Sequence, residues 1–281
     1  MAKRKSKLKT LITVLLTLIL AVVLIVVAPM FAETIDNSLA ICSLTGNQPM
    51  MVAHRGLSAL APQNSLPALE LAVEYGFDGY EFDIHTTKDG QWVVIHDDTV
   101  DAMTDGSGLV SDFTLEEIRK LNLDSGNGIE NYEKLTVPTL EEALSVCEKS
   151  DIIPVIEIKS CDTSYLPTLK DTLDRFSLSE KAVIISFDEE YLEKYRELDT
   201  EIEMLLLSSS VEKEDIDWCI EHNAGINYFY GYLYKNVSAL KYAREKGVKI
   251  GVWTVDNTVY EDIAVLFGAE IITTNKLLPV K

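Results

Sequence analysis

Eight short apolar runs, the amphipathic stretches between them and a span of about 230 residues predict an α/β fold of the (β/α)8 TIM-barrel type. The runs lie at residues 51–54, 79–84, 152–158, 182–187, 202–207, 225–228, 249–254 and 270–273. They are continuously apolar rather than alternating, as strands covered on both faces of a parallel sheet must be. A doubly wound open sheet is the alternative, but no glycine-rich strand-to-helix turn supports it.

Taken in order, the first run at 51–54 leads into a helix over 65–75, where Leu66, Leu69 and Val73 fall at helical spacing and Gly76 closes the end. The second run at 79–84 is followed closely by a ninth strand at 92–95. The short gap between them carries Asp89-Gly90, which is hairpin spacing and not a crossover. A small insertion covers about 99–136 and contains a capping box, Thr114 with Glu117, opening a helix to Leu121. A second box, Thr139 with Glu142, opens a helix that ends near Lys149, and strand–helix alternation continues to the C-terminus.

The domain plan has four parts: a basic tail at 1–9, an apolar segment at 10–32, a polar linker at 33–48 and the barrel at 49–281. Residues 11–32 hold no charge and are long enough to cross a bilayer as a helix. The flanking Lys3, Arg4, Lys5, Lys7 and Lys9 keep the N-terminus cytoplasmic, so the expectation is a single-pass membrane protein with its barrel outside. A cleaved signal peptide is disfavoured because the run exceeds the usual apolar region. Setting those five bases aside leaves 45 acids to offset the remaining bases, a net charge of about −25. Such a surface repels nucleic acid, so no nucleic-acid partner is expected. An anionic substrate needs a local positive device. The cysteines, Cys42, Cys147, Cys161 and Cys219, lack metal-type spacing; Cys147 and Cys219 sit in helical segments and read as free thiols.

In such a barrel, chemistry belongs at the C-terminal ends of the strands. Those ends carry His54-Arg55-Gly56, Glu81 with Asp83, His96-Asp97-Asp98, Glu157 with Lys159, and Trp253. Glu81 and Asp83 are two apart and face the same side of a strand, as do Glu157 and Lys159. Carboxylates gathered on one face repel unless a proton or cation lies between them. Glu81, Asp83 and Glu157 therefore form a candidate all-oxygen site for one hard divalent cation, Ca²⁺ or Mg²⁺. His54 and His96 are the acid/base candidates, since imidazole can carry a proton either way near neutral pH. Arg55 and Lys159 supply positive charge for a phosphate, and Trp253 is a candidate pocket wall. His85 shares a strand face with Asp83 and takes a supporting role, while His222 ends a polar helix.

These segments resemble the glycerophosphodiester phosphodiesterase family across residues 51–278. The carriers are Val52-Ala-His-Arg-Gly56, Tyr80-Glu-Phe-Asp-Ile-His85, Val94-Ile-His-Asp-Asp98, Pro138-Thr-Leu-Glu-Glu142, Val155-Ile-Glu-Ile-Lys159 and Val252-Trp-Thr-Val255. The resemblance implies a barrel with an insertion after the His-Asp segment. It also implies metal-dependent hydrolysis of a small or lipid-derived phosphodiester to glycerol 3-phosphate and an alcohol. His54 and His96 then look like the acid/base pair, Glu81, Asp83 and Glu157 the metal ligands, and Arg55 and Lys159 the phosphate contacts. Two positions depart from the pattern. Gln63 stands where the family carries Glu, which predicts a looser Arg55 or an altered substrate preference, and Ala102 stands where an Arg is common. The competing readings are a phosphatidylinositol-specific phospholipase C-like enzyme, which forms a cyclic phosphate, and a non-catalytic anchored binding domain. The three carboxylates argue against the first and the two histidines against the second.

Overall fold

The structure, a computed structural model, describes residues 48–233 and 235–279. The expected basic tail, apolar segment and most of the linker lie outside the described residues, as does Cys42. No helix among the described residues is long and apolar enough to cross a membrane.

Eight parallel strands close on themselves. They are β1 (Met50–Ala53), β2 (Gly79–Thr86), β4 (Ile153–Ser160), β5 (Val183–Ser186), β6 (Glu203–Ser208), β7 (Gly225–Phe229), β8 (Ile250–Trp253) and β9 (Ile271–Thr274). Each pairs with its neighbour in sequence, and β1 pairs with both β2 and β9 to complete the barrel. The hairpin expectation also holds: β3 (Trp92–Val94) runs antiparallel to β2, with Ile84 opposite Val94. Gly90 turns this hairpin with φ 73°, a left-handed conformation that glycine adopts without steric cost.

The helices are α1 (Leu66–Glu74), α2 (Leu115–Ile118), α3 (Leu140–Ser150), α4 (Leu166–Arg175), α5 (Glu189–Leu198), α6 (Lys213–Glu221), α7 (Val237–Glu245) and α8 (Thr258–Leu266). Both expected capping boxes form in full, at Thr114 with Glu117 and at Thr139 with Glu142. The helix expected to reach Leu121 ends at Ile118 instead. Its last turn tightens, with the Lys120 and Leu121 N–H groups donating three residues back to Glu117 and Ile118. The Arg119 guanidinium donates to both Glu142 carboxylate oxygens, at 2.7 and 2.8 Å, and so ties the insertion to α3. Beneath it lies a small separate core that includes Val100, Val110, Ile118 and Leu123.

Two apolar layers hold the barrel. The larger fills the space between strands and helices and includes Leu69, Leu144, Ile156, Ile184 and Ile226. The smaller fills the barrel itself with Val52, Val155, Val183, Ile185, Leu205, Leu207 and Ile271. Because side chains alternate along a strand, Val155 in this inner layer places Glu157 on the same inward face, one step nearer the C-terminal mouth. Cys147 on α3 and Cys219 on α6 are buried free thiols, and Cys161 is a free, half-buried one.

Candidate metal and phosphate site

Strand register brings the three acids together. Asp83 on β2 lies directly beside Glu157 on β4, and Glu81 beside Val155. Adjacent strands are only about 4.8 Å apart, so the side chains of neighbouring inward positions converge. Glu81, Asp83 and Glu157 each offer an oxygen within 4.8 Å of the others. With Ca²⁺–oxygen distances of roughly 2.3–2.6 Å, one ion can reach all three. They are not rim charges: relative exposures are 2%, 0% and 8%. Glu81 Oε1 and Asp83 Oδ1 are buried and receive no hydrogen bond. An orphaned buried carboxylate oxygen is costly unless a cation or proton meets it. Burial, then Asp83, then Glu157 hold the Glu81 carboxyl well above the usual carboxylate range. Burial and the adjacent Asp83 push Glu157 up to about 7, against the lowering effect of Lys159. The donor set therefore fits one hard divalent cation.

Arg55 follows β1 in a left-handed conformation, φ 56°. That turn aims its backbone N–H at Glu81 Oε2, 2.8 Å away. Its guanidinium donates to Gln63 Oε1 at 2.7 Å and lies 3.4 Å from Asp83 Oδ2. The amide at position 63 thus holds Arg55 rather than freeing it. A carbonyl oxygen accepts the same hydrogen bond that a carboxylate would, without the added charge. Ala102 is exposed on the insertion. Next to Arg55, Gly56 has φ 73°, and a Cβ there would meet the Ala68 carbonyl carbon at 2.5 Å. The His54–Arg55 turn needs glycine to fit against α1.

The two histidines are each held by a polar partner. Asn275, just after β9, donates through Nδ2 to Asp256 Oδ2 at 2.7 Å, which turns its Oδ1 toward His54 Nδ1 at 2.8 Å. Oδ1 can only accept, so His54 carries its proton on Nδ1 and presents the Nε2 lone pair, 3.9 Å from Glu81 Oε2. Burial, followed by the neighbouring Arg55 charge, lowers His54 to about 4. The ring is neutral at pH 7. His96 is oriented by Asp97, whose Oδ1 lies 2.6 Å from Nδ1, and its Nε2 is 3.4 Å from Lys159 Nζ. Lys159 Nζ also donates to Glu157 Oε1 at 2.8 Å.

His54, Arg55, Glu81, His96, Glu157, Lys159 and Trp253 line one cavity of about 220 Å³ at the C-terminal mouth of the barrel. Asp83 lies directly behind it, against Arg55 and Glu157. All eight residues singled out in the sequence are therefore gathered at one place. Trp253 forms part of the wall, its Nε1 donating to the Asn227 carbonyl at 3.1 Å. His85 is buried behind the site and bonds through Nε2 to the His96 carbonyl oxygen at 3.1 Å. His222 stacks on Trp218, far along the chain in α6's cap, and takes no part.

Sequence reasoning passed over three residues. Asn64 grips Asp83 twice, donating from Nδ2 to Oδ2 at 2.7 Å and accepting the Asp83 N–H at 3.2 Å. Asn275 and Asp97 fix the two imidazoles. A signal existed for each: Asn64 sits inside the Pro62–Ser65 segment, Asp97 beside His96, and Asn275 at the end of the last strand, where barrel chemistry gathers.

Comparison with known proteins agrees with this geometry. Residues 54–278 match the glycerophosphoryl diester phosphodiesterase family. A glycerophosphodiester phosphodiesterase of Caldanaerobacter subterraneus subsp. tengcongensis is 33% identical over 231 residues, spanning 80% of this chain and 93% of that protein. A glycerophosphodiester phosphodiesterase structure from Parabacteroides distasonis superposes with a TM-score of 0.69 at 28% identity, covering 81% of this chain and 92% of its own. An Oleispira antarctica phosphodiesterase, solved with the product sn-glycerol-3-phosphate, shares the fold at a TM-score of 0.74 and 24% identity, covering 81% of this chain and 93% of that one. The chain belongs to the glycerophosphoryl diester phosphodiesterase family of hydrolases.

Proposed function

We propose that this chain hydrolyses glycerophosphodiesters to glycerol 3-phosphate and an alcohol, using one divalent cation, Ca²⁺ or Mg²⁺, and the pair His54 and His96. The observation that carries the reading is the meeting of Glu81, Asp83 and Glu157 within 4.8 Å, with two buried oxygens left without donors. Bound there, the cation supplies positive charge against the negative charge that grows on the phosphoryl oxygens. Arg55 and Lys159 orient the phosphate and share that neutralisation. His54, neutral and with its Nε2 lone pair toward the cavity, accepts the proton of the attacking oxygen. His96 returns a proton to the leaving oxygen. Trp253 holds the apolar part of the substrate against the wall.

The same proposal places the barrel outside a membrane, tethered by a helix over residues 10–32 with residues 1–9 in the cytoplasm. The test incubates the full-length protein with glycerophosphocholine and either cation, with and without EDTA. Release of glycerol 3-phosphate that EDTA abolishes and the cation restores is the expected result. Turnover unaffected by EDTA, or a cyclic phosphate as the final product, defeats the reading.

A further inference from the structure

A second cavity, of about 370 Å³, opens beside the first and shares none of its lining residues. It lies between the C-terminal ends of β2 and β4 and the insertion, and its walls include His85, Asp98 and Asp162. His85 is 3% exposed, yet only one of its ring nitrogens is satisfied within the protein. Nε2 lies 3.1 Å from the His96 carbonyl oxygen, which can only accept, so the proton of the neutral ring sits on Nε2. Nδ1 is therefore a lone pair. Facing it at 3.9 Å is Asp98 Oδ1, a second acceptor and too distant for a hydrogen bond. Two bare acceptors that face each other across a cavity are stabilised only by a cation or a donor placed between them.

We propose that His85 and Asp98 anchor a site for one Zn²⁺ ion, separate from the hard-cation site at Glu81, Asp83 and Glu157. Three features support it. A histidine that binds a metal through one nitrogen almost always donates its other N–H to a carbonyl, a carboxylate or water, and His85 already makes that bond to His96. Bonds of roughly 2.1 Å to nitrogen and to oxygen span a gap of up to about 4.2 Å, so one ion reaches both atoms. An imidazole donor suits Zn²⁺, whereas Ca²⁺ and Mg²⁺ take oxygen, and Mn²⁺ stands at the weak end of the series for such donors. Asp162 is the third ligand. Its Oδ1 accepts the Ser164 N–H at 2.9 Å, leaving Oδ2 for the ion, and water takes the fourth position. Among the described residues, only Glu81, Asp83 and Glu157 already converge as a trio within 4.8 Å, so the zinc site is complete once the exposed Asp162 turns inward. The ion joins β2 to the residue two places after His96, and it strengthens the His85 bond to the His96 carbonyl. It thus clamps the segment that carries His96 without entering the catalytic cavity.

The experiment titrates Zn²⁺ into the full-length protein in saturating Ca²⁺ by isothermal calorimetry, with Glu81→Gln, Asp98→Ala and His85→Gln alongside. Wild type and Glu81→Gln should each bind one equivalent with the same Kd, since the site does not use Glu81. Asp98→Ala and His85→Gln should each weaken that Kd by at least about tenfold, the smallest usual cost of disturbing a metal site. Asp98 is exposed, so Asp98→Ala decides the question even if His85→Gln fails to fold. A crystal of the Ca²⁺ form soaked in Zn²⁺ and read at the zinc edge should show the ion between His85 Nδ1 and Asp98. No zinc binding, or a Kd unchanged in Asp98→Ala, overturns the site. Loss of zinc binding in Glu81→Gln also overturns it and puts the zinc at the three carboxylates. None of these outcomes involves turnover, so the phosphodiesterase reading stands or falls separately.

Discussion

Replacing Glu157 with Gln should stabilise the metal-free protein at pH 8. Glu157 is 8% exposed and lies beside Asp83 on the neighbouring strand. Burial and that carboxylate raise it from an ordinary 4.5 to about 7, even though Lys159 Nζ donates to it at 2.8 Å. An acid whose pKa is higher in the folded state binds its proton more tightly there. Its contribution is therefore complete below 4.5 and is lost as the pH rises through about 7. The gap corresponds to roughly 3 kcal/mol, which for a domain of this size is about 6–12 °C in Tm. Gln fills the same space and carries no charge to bury. Scanning calorimetry in EDTA at pH 5 and pH 8 reads the effect. The wild-type Tm should fall between the two pH values by more than that of Glu157→Gln, and the variant should melt higher at pH 8. Adding Ca²⁺ to about 100 times its Kd should return roughly 2.7 kcal/mol to the wild type and much less to the variant. A variant that melts at or below the wild type at pH 8 in EDTA would show that Glu157 is not held among uncompensated negative charge.

Other outcomes follow from single contacts. His54→Ala should lower kcat by about 10²–10⁴ while the protein still gains thermal stability from the cation, because no ligand is lost; steady-state kinetics and melting curves together check this. Asn275→Ala removes the acceptor that fixes the His54 tautomer, and should cost roughly 10–100-fold in kcat with KM little changed. Gln63→Ala frees the Arg55 guanidinium and should raise KM by about tenfold, the worth of one hydrogen bond to a charged group, with Gln63→Glu restoring it. Gly56→Ala combines a positive φ with a contact of 2.5 Å. It should cost more than ~1 kcal/mol, visible as a lower denaturant midpoint.

The barrel was legible because the sequence repeats one physical requirement. Strands covered on both faces must be continuously apolar, and β4 to β9 obey this within a residue or two of their observed ends. The β2–β3 hairpin was equally plain, since Asp89-Gly90 leaves too little chain for a crossover. The convergence of Glu81 with Asp83 followed from a two-residue period. Their meeting with Glu157 depended on strand register, which pairs Asp83 with Glu157 and which composition alone does not reveal. The expected loosening of Arg55 failed for a different reason: judging position 63 by charge ignored that Gln keeps the carbonyl acceptor. Asn275 escaped notice because its partner His54 is 221 residues away. Only barrel closure, β9 against β1, brings them together.

The most direct measurement is a crystal structure of the protein grown with Mn²⁺, read by anomalous scattering at the manganese edge. One strong peak is expected within coordination distance of Glu81, Asp83 and Glu157, and none in crystals of Glu81→Gln grown alike. A fully ordered site without a peak there, or manganese bound elsewhere at the barrel mouth, would contradict it.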